Sequence, residues 1–225
     1  MSPRRYTMTR KTALAAGTRA RIVEATLKLH EQHGIFGTSW KDIAAEADVS
    51  VGTVYKYFPG LDQLVPACGE LLMERVKPPQ PDHITSILGD AEKPAERIHR
   101  VAQAVFGFYE RGGRNLDSDF RERALESVRE WEDHLRGMVA GFVGTALAAD
   151  VPKDRPIGHL AFLFDFPTFR AMRERGIDPA EAARIVAEMT IAWLNLPGQA
   201  LAPPTPQTPF PTPTPTPTQT STGEA

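Results

Sequence analysis

The chain has a single cysteine among its 225 residues, and it has no long run of apolar residues. One cysteine excludes a disulfide framework within the chain, which suits a reducing cytoplasm. The longest apolar stretch, residues 138–149, is about a dozen residues long and is too short to span a bilayer. The apolar part of residues 11–17 is too short for a signal peptide. We therefore expect a soluble cytoplasmic protein, with Cys68 buried on an apolar helical stripe.

The sequence also lacks the side-chain sets that enzymes need. It shows no glycine-rich phosphate loop, no nucleophile with an acid/base pair and no cluster of metal ligands. His30 and His33 are three residues apart, but no third ligand lies near them in the sequence. We interpret both histidines as surface groups of the first helix, and we expect no enzymatic activity, no metal and no cofactor.

Acidic residues are missing from the first 23 positions, which contain six arginines and lysines. The whole chain has a net charge of −2, but residues 1–60 carry nine Lys/Arg and five Asp/Glu, which gives +4. This uneven distribution favours an N-terminal unit that faces nucleic acid. Residues 1–17 are expected to form a basic disordered arm, which either lies along DNA phosphates or a minor groove or remains a solvated tail.

Two short helices joined by a tight turn are predicted between Gly34 and Leu64. Ser39 is the expected N-cap of the first of them, and Asp42 three residues later completes a capping box. Ser50 is the expected N-cap of the second helix, whose Val51, Val54 and Phe58 form a stripe that we expect to face inward. The other face carries Gly52, Thr53, Lys56 and Tyr57.

This arrangement is typical of a helix-turn-helix, in which the start of the second helix meets base edges in the major groove. Gly52 removes a side chain at the closest approach, and Thr53 offers a hydroxyl and a methyl group to the bases. Lys56 and Tyr57 are better placed for phosphates. The alternative is a plain helical core in which Trp40, Tyr55 and Tyr57 are packed inside.

The N-terminal residues resemble the tetracycline-repressor (TetR) family of bacterial transcriptional regulators. The matching positions are Thr18, Ile22, Ala25, Leu29, Gly34, Thr38, Ser39, Ile43, Ala44, Ala47, Val49, Ser50, Gly52, Thr53, Tyr55, Tyr57, Phe58 and Leu64. The resemblance implies DNA contacts from Thr38, Ser50, Gly52, Thr53, Tyr55, Lys56 and Tyr57, and we add Arg19, Ser39, Lys41 and Val51 as candidate DNA-binding residues. Leu61 stands where the family commonly has a lysine that touches phosphate.

The rest of the chain is predicted to be helical, so the fold class is all-α with about nine helices. Residues 18–77 would form the three-helix helix-turn-helix DNA-binding domain and the fourth, connecting helix. Residues 78–196 would form a C-terminal effector-binding and dimerisation domain, and residues 197–225 a Pro/Thr-rich disordered tail.

Several boundaries within the C-terminal part follow from periodicity and from caps. A fifth helix is expected from Pro94 to Gly112. A continuous apolar stripe from Phe120 and Ala124 onward predicts one bent helix or two over residues 117–149. Pro167 would kink a helix that starts at Ile157, and Asp178 would cap the last helix. The aromatic residues of the last two helices form a face that indicates either a partner surface or a completed core.

The family resemblance implies a homodimeric repressor that binds a palindromic operator and releases or gains DNA on binding a small apolar or amphipathic molecule. Candidates for the ligand site are aromatic or polar residues of the C-terminal helices, namely Phe106, Tyr109, Trp131, His134, Phe142 and Phe162. The alternative class is an architectural DNA-binding protein that has no small-molecule effector.

Overall fold

The computed structural model describes residues 3–148 and 157–196, and their side chains except those of residues 3–12, 157 and 159. Within these ranges all regular structure is helical, so the all-α prediction is confirmed. The α-helices are α1 (Pro3–His33), α2 (Trp40–Glu46), α3 (Val51–Tyr57), α4 (Leu61–Val76), α5 (Ile84–Leu88), α6 (Pro94–Gly112), α7 (Glu126–Leu147), α8 (Phe166–Arg173) and α9 (Pro179–Asn195). Short 3-10 helices occupy Pro81–His83, Gly113–Leu116, Glu122–Ala124 and Ile157–Phe164.

The first helix starts earlier than its apolar pattern indicates. We expected it to begin near residue 18, after a disordered arm, whereas α1 begins at Pro3. Proline is well tolerated in the first turn of a helix, and the alanines, arginines and leucine that follow favour helix without needing an apolar stripe. Gly17 lies inside α1 without ending it, since a single glycine in a helix interior costs only about 1 kcal/mol relative to alanine.

The N-terminal helices α1–α4 share one apolar core. Ile22, Val54, Phe58 and Leu64 are each at most 1% exposed, and they come from α1, from α3 with its C-cap, and from α4. Gly34 ends α1 with φ of +74°, a left-handed conformation that glycine adopts without strain, and its N–H donates to the carbonyl of His30 at 2.8 Å. Gly34 is therefore the residue that terminates α1.

The C-terminal helices pack around α6, which contacts both α7 and α9. The predicted start at Pro94 and end at Gly112 are confirmed. The rings of Phe106 and Tyr109 of α6 pack in a tilted arrangement against that of Phe169 of α8, with centroids 5.1 Å and 5.7 Å apart. Burial raises the pKa of the Tyr109 hydroxyl, so this group stays neutral.

Three expectations for this part of the chain are wrong in detail. Residues 117–125 form a loop and a 3-10 turn, so α7 starts only at Glu126, and Phe120 is 82% exposed instead of lying on the stripe. Pro167 starts α8 instead of kinking a longer helix, because proline lacks the N–H that a helix interior needs. A short helix, α5, lies between α4 and α6, where the sequence predicts no helix.

The last helix begins as expected. The Asp178 carboxylate accepts from the N–H groups of Ala180 and Glu181, both at 3.0 Å. Residues up to Asn195 form one compact unit, so the boundary at residue 77 stays a prediction. The Pro/Thr-rich tail lies outside the described residues. Among the described helices, none combines the length and the apolarity needed to cross a membrane.

Candidate nucleic-acid interface

The turn regions of α2 and α3 are held by side-chain caps, as predicted. The Ser39 hydroxyl accepts from the N–H of Asp42 at 3.1 Å, and the Asp42 carboxylate accepts from the N–H of Ser39 at 3.3 Å. The Ser39 hydroxyl and the Ser39 N–H both donate to the Asp42 carboxylate and lower the pKa of this carboxyl, so the cap is charged at neutral pH. The Ser50 hydroxyl accepts from the N–H of Thr53 at 3.1 Å. Both helix starts are therefore fixed without help from DNA.

The leading edge of α3 is exposed to solvent. Ser50, Gly52 and Lys56 are exposed, and Thr53 is half-buried, with its hydroxyl 2.8 Å from that of Ser50. Our expectation that Val51 faces inward is wrong, because this side chain is 38% exposed while Val54 is fully buried. Val51 is the first residue of α3, where no preceding turn covers it. This exposure suits its place among the candidate DNA-binding residues.

Gly52 stands in open space. A Cβ built there would meet only the hydroxyl oxygen of Ser50, at an ordinary contact distance of 3.9 Å. The surrounding protein therefore does not require glycine at this position, and the helical φ does not require it either. Glycine at position 52 is therefore explained better by the close approach of another molecule than by packing within the chain.

The aromatic residues are divided between surface and core. Trp40 of α2 stacks on Tyr55 of α3, with ring centroids 4.9 Å apart and an interplanar angle of 28°. Tyr55 is nevertheless 46% exposed, and Tyr57 is half-buried against the core. The alternative in which these rings are simply packed inside is therefore wrong for Tyr55. The stacked pair ties α2 to α3 on the surface of the unit.

The remaining candidate DNA contacts border α3. Lys41 of α2 is exposed, and the half-buried Thr38 donates its hydroxyl hydrogen to the carbonyl of Gly34 at 2.9 Å. Arg19 is exposed, and its guanidinium carbon lies 5.1 Å from the centre of the Phe58 ring. This cation–π contact positions a charged group beside the C-terminal end of α3. The predicted DNA-binding residues thus come from α2, α3 and their caps, from the turn before α2, and, for Arg19, from α1.

A cavity of about 820 Å³ lies on the far side of these helices, between the N-terminal and C-terminal parts of the chain. Its walls come from the end of α1, from α4, from residues 114–122 and from the start of α7. Leu27, Leu72, Leu116 and Val128 are among its apolar lining residues.

The six predicted ligand-site residues are not brought together around this cavity. Only Trp131 lines it. Phe106, Tyr109 and Phe142 are buried in the core, and His134 and Phe162 are exposed. Periodicity marks these side chains as apolar or aromatic, but it cannot separate core from cavity wall.

The interpretation of His30 as a surface group is wrong. Its Nε2 atom is buried without a hydrogen-bond partner, and the residue lines the cavity. Burial lowers the pKa of the imidazole from 6.5 to about 4, so the ring is neutral at physiological pH. Within the described part of the chain, no group of three or more His, Cys, Asp or Glu is arranged to hold a metal ion.

Two side chains of the C-terminal part hold the N-terminal helices. Glu122 is 6% exposed, and its Oε1 atom accepts from the N–H of Ile35, in the turn after α1, at 2.6 Å. Arg111 of α6 donates from Nε to the carbonyl of Val76 at 2.9 Å and from Nη2 to that of Lys77 at 3.3 Å. No local pattern indicates the Glu122 contact, because its partner lies 87 positions away.

Comparison with known proteins identifies the class. The family model described as "Bacterial regulatory proteins, tetR family" matches residues 22–68, the segment that contains α2, α3 and their caps. Together with the exposed α3, this match indicates that residues 22–68 form a helix-turn-helix segment of the kind found in these regulators. Residues 22–68 are therefore similar to the DNA-binding segment of the TetR family. None of the curated proteins matches it.

Solved structures show the same fold over most of the chain. A TetR transcriptional regulator from Chloroflexus aurantiacus J-10-FL is 21% identical, with 82% of this chain and 97% of that chain covered and a TM-score of 0.55. A TetR transcription regulator from Haloarcula marismortui ATCC 43049 is 18% identical, with 80% and 98% covered and a TM-score of 0.54. The regulator FadR from Bacillus subtilis, in complex with stearoyl-CoA, is 15% identical, with 77% and 97% covered and a TM-score of 0.54.

Proposed function

We propose that this protein is a ligand-responsive repressor that binds a palindromic operator as a homodimer. The observation that carries the DNA-binding part is the exposed, capped start of α3, with an unobstructed glycine at position 52. A recognition helix of this kind enters the major groove with its first residues over base edges. The proposed contacts are Arg19, Thr38, Ser39, Lys41, Ser50, Val51, Gly52, Thr53, Tyr55, Lys56 and Tyr57. The cytoplasm, where bacterial DNA lies, is the proposed location.

The homodimer would form through α8 and α9. Phe164 and Phe169 are buried in the protein's own core, so these rings do not support a partner surface. Phe162 and Met189, however, are 58% and 49% exposed. Phe162 lies in the 3-10 helix just before α8, and Met189 lies in α9. Large apolar side chains that stay on the surface in this part of the chain favour an isologous contact between two copies. A dimer would place two copies of α3 on one DNA duplex.

Response to a small molecule is supported by the cavity between α1, α4 and α7. Its volume suits a small organic ligand, and its walls include both helices that position the helix-turn-helix unit. A related fold, that of FadR from Bacillus subtilis, was solved in complex with stearoyl-CoA. Ligand binding that moves α4 or the end of α1 would change the separation of the two copies of α3.

Selection from random duplex DNA tests this function against the architectural alternative. We expect the purified protein to enrich one short palindrome and to bind it at least about 10³-fold more tightly than bulk DNA at the same salt concentration. Comparable affinity for all sequences would instead support an architectural protein. Sedimentation of the protein with and without the enriched duplex gives the number of copies that bind.

A further inference from the structure

The cavity of the proposed effector site carries more negative than positive side chains. Its lining contains five carboxylates and three guanidinium groups, from Glu70, Asp117, Asp119, Glu122, Glu130, Arg114, Arg121 and Arg170. Two of the arginines are already engaged, Arg170 with Asp117 and Arg121 with Asp119. Three carboxylates then remain beside the single guanidinium of Arg114, so the cavity as a whole repels an anion.

The buried part of the cavity offers no positive charge. The imidazole of His30 is neutral, and its Nε2 atom has no hydrogen-bond partner. The charged group that lies deepest is the Glu122 carboxylate, at 6% exposure. The cavity wall also contains apolar side chains and the half-buried indole of Trp131, and the face of an indole ring attracts cations. An anionic head group would have to enter without a buried partner, whereas a cation would find one.

The Glu122 carboxylate is also the contact between this cavity and the turn that precedes α2. Its Oε1 atom accepts from the N–H of Ile35 at 2.6 Å, and its Oε2 atom accepts from the N–H of Asp119 at 2.9 Å. A Cβ at Gly34 would lie 2.9 Å from Oε1, so the glycine allows the carboxylate to approach the turn. Three residues beyond Ile35 the chain reaches Thr38 and then Ser39, the N-cap of α2.

We propose that the cavity binds an apolar cation. The cation attracts the Glu122 carboxylate, which accepts from the N–H of Ile35, and thereby acts on the helix-turn-helix unit. This inference rests on the proposed ligand response and names the chemical class of its ligand. A positive charge in the cavity attracts the Glu122 carboxylate and so draws its Oε1 atom away from the N–H of Ile35. The turn after α1 is thereby loosened, and the position of α2 and α3 relative to the cavity changes.

A matched pair of probes tests the sign of the charge. Tetraphenylphosphonium and tetraphenylborate have nearly the same shape and opposite charges, and their binding to the full chain is measured by isothermal titration calorimetry without DNA. We expect the cation to bind at least tenfold more tightly than the anion. Tetramethylammonium, which is charged but small, should not bind. Equal binding of both probes, preference for the borate, or binding of stearoyl-CoA in place of the phosphonium would overturn the proposal.

Glu122→Gln tests the role of the carboxylate. The glutamine oxygen can still accept from the N–H of Ile35, so the turn keeps this contact while the negative charge and the bond from the N–H of Asp119 are lost. We expect phosphonium binding to weaken at least tenfold, and we expect operator affinity to stop responding to the phosphonium. Glu126→Gln, on α7 but outside the cavity lining, should leave both properties unchanged. Unaltered phosphonium binding by folded Glu122→Gln would contradict the assignment.

A second variant covers the case in which Glu122→Gln does not fold. Glu130→Gln removes an exposed carboxylate from the rim of the same cavity, and it should weaken phosphonium binding several-fold. Unchanged phosphonium binding by this variant would contradict the electrostatic argument. If the protein enriches a palindrome but prefers the borate, the ligand class is wrong and the repressor function stands. If no palindrome is enriched, the repressor function fails whatever the probes show.

Discussion

Replacing Gly52 by alanine separates a structural from a recognition role for this residue. The added methyl group enters open space in the free protein. Alanine also favours helix over glycine, so we expect the variant to be more stable by about 0.5–1 kcal/mol, which raises the melting temperature by about 1–4 °C for a chain of this size. A residue kept only for folding would not be glycine here.

On DNA the same methyl group should be harmful. If α3 lies against base edges at Gly52, one methyl group at each contact costs about 1 kcal/mol, as overpacking of a tight interface does. Two copies of α3 on one operator then lose about 2 kcal/mol, which corresponds to roughly thirtyfold weaker binding. Fluorescence anisotropy of the labelled operator at fixed salt measures this loss, and thermal unfolding measures the stability.

Gly137→Ala is the matched control. Gly137 lies in α7, is exposed, and would have nothing within 4 Å of an added Cβ atom. The variant should show the same gain in stability without any change in operator affinity. If Gly52→Ala binds the operator as tightly as the unchanged protein, or if Gly137→Ala weakens binding equally, the assignment of Gly52 to the DNA-facing surface is refuted.

Three further predictions concern individual side chains. Thr53→Ala should relax base preference by about 1–3 kcal/mol at one position of each half-site. Lys56→Ala should weaken binding to all sequences alike and should lower the slope of log K against log salt concentration by about one. Competition titration measures both effects. Burial lowers the pKa of His30 from 6.5 in the unfolded chain to about 4 in the folded protein. At pH values above 6.5 the imidazole is neutral in both states, so its burial then carries no cost of deprotonation. At pH 5 the unfolded chain binds a proton that the folded protein does not, so the free energy of unfolding should be about 2 kcal/mol lower than at neutral pH, as urea unfolding would show. Because burial raises the pKa of the Cys68 thiol to about 12, iodoacetamide should modify it only after unfolding.

Each of these predictions has an outcome that contradicts it. If Thr53→Ala lowers the affinity for the operator and for random DNA equally, Thr53 has no role in base readout. A His30→Gln variant should lose much less stability between pH 7.5 and pH 5 than the unchanged protein, so equal losses would place the titration elsewhere. Rapid alkylation of Cys68 in the native protein would contradict its burial.

The parts of the fold that are predictable from sequence depend on neighbours within one helical turn. The caps at Ser39, Ser50 and Asp178 are set by side chains two or three residues from the N–H groups that they bind, so the local pattern is sufficient. The glycine that ends α1 and the proline that starts α6 are equally local signals.

The features that the sequence does not reveal depend on distant parts of the chain. His30 is buried because α4 and residues 114–122 close over the end of α1, and nothing near His30 in the sequence indicates this. The Glu122 contact joins residues 87 positions apart. The early start of α1 is hidden for a different reason, because the segment after Pro3 is helical by propensity and carries no apolar stripe that would mark it.

Chemical protection of the selected operator tests the central claim most directly, that two copies of α3 lie in the major groove of one duplex. Dimethyl sulfate methylates guanine N7, which faces that groove. We expect two protected blocks whose centres are about one helical turn, or roughly 34 Å, apart on one face of the duplex, and we expect Gly52→Ala to weaken both. A single protected block, or a bound complex in which every guanine N7 stays reactive, would contradict the account.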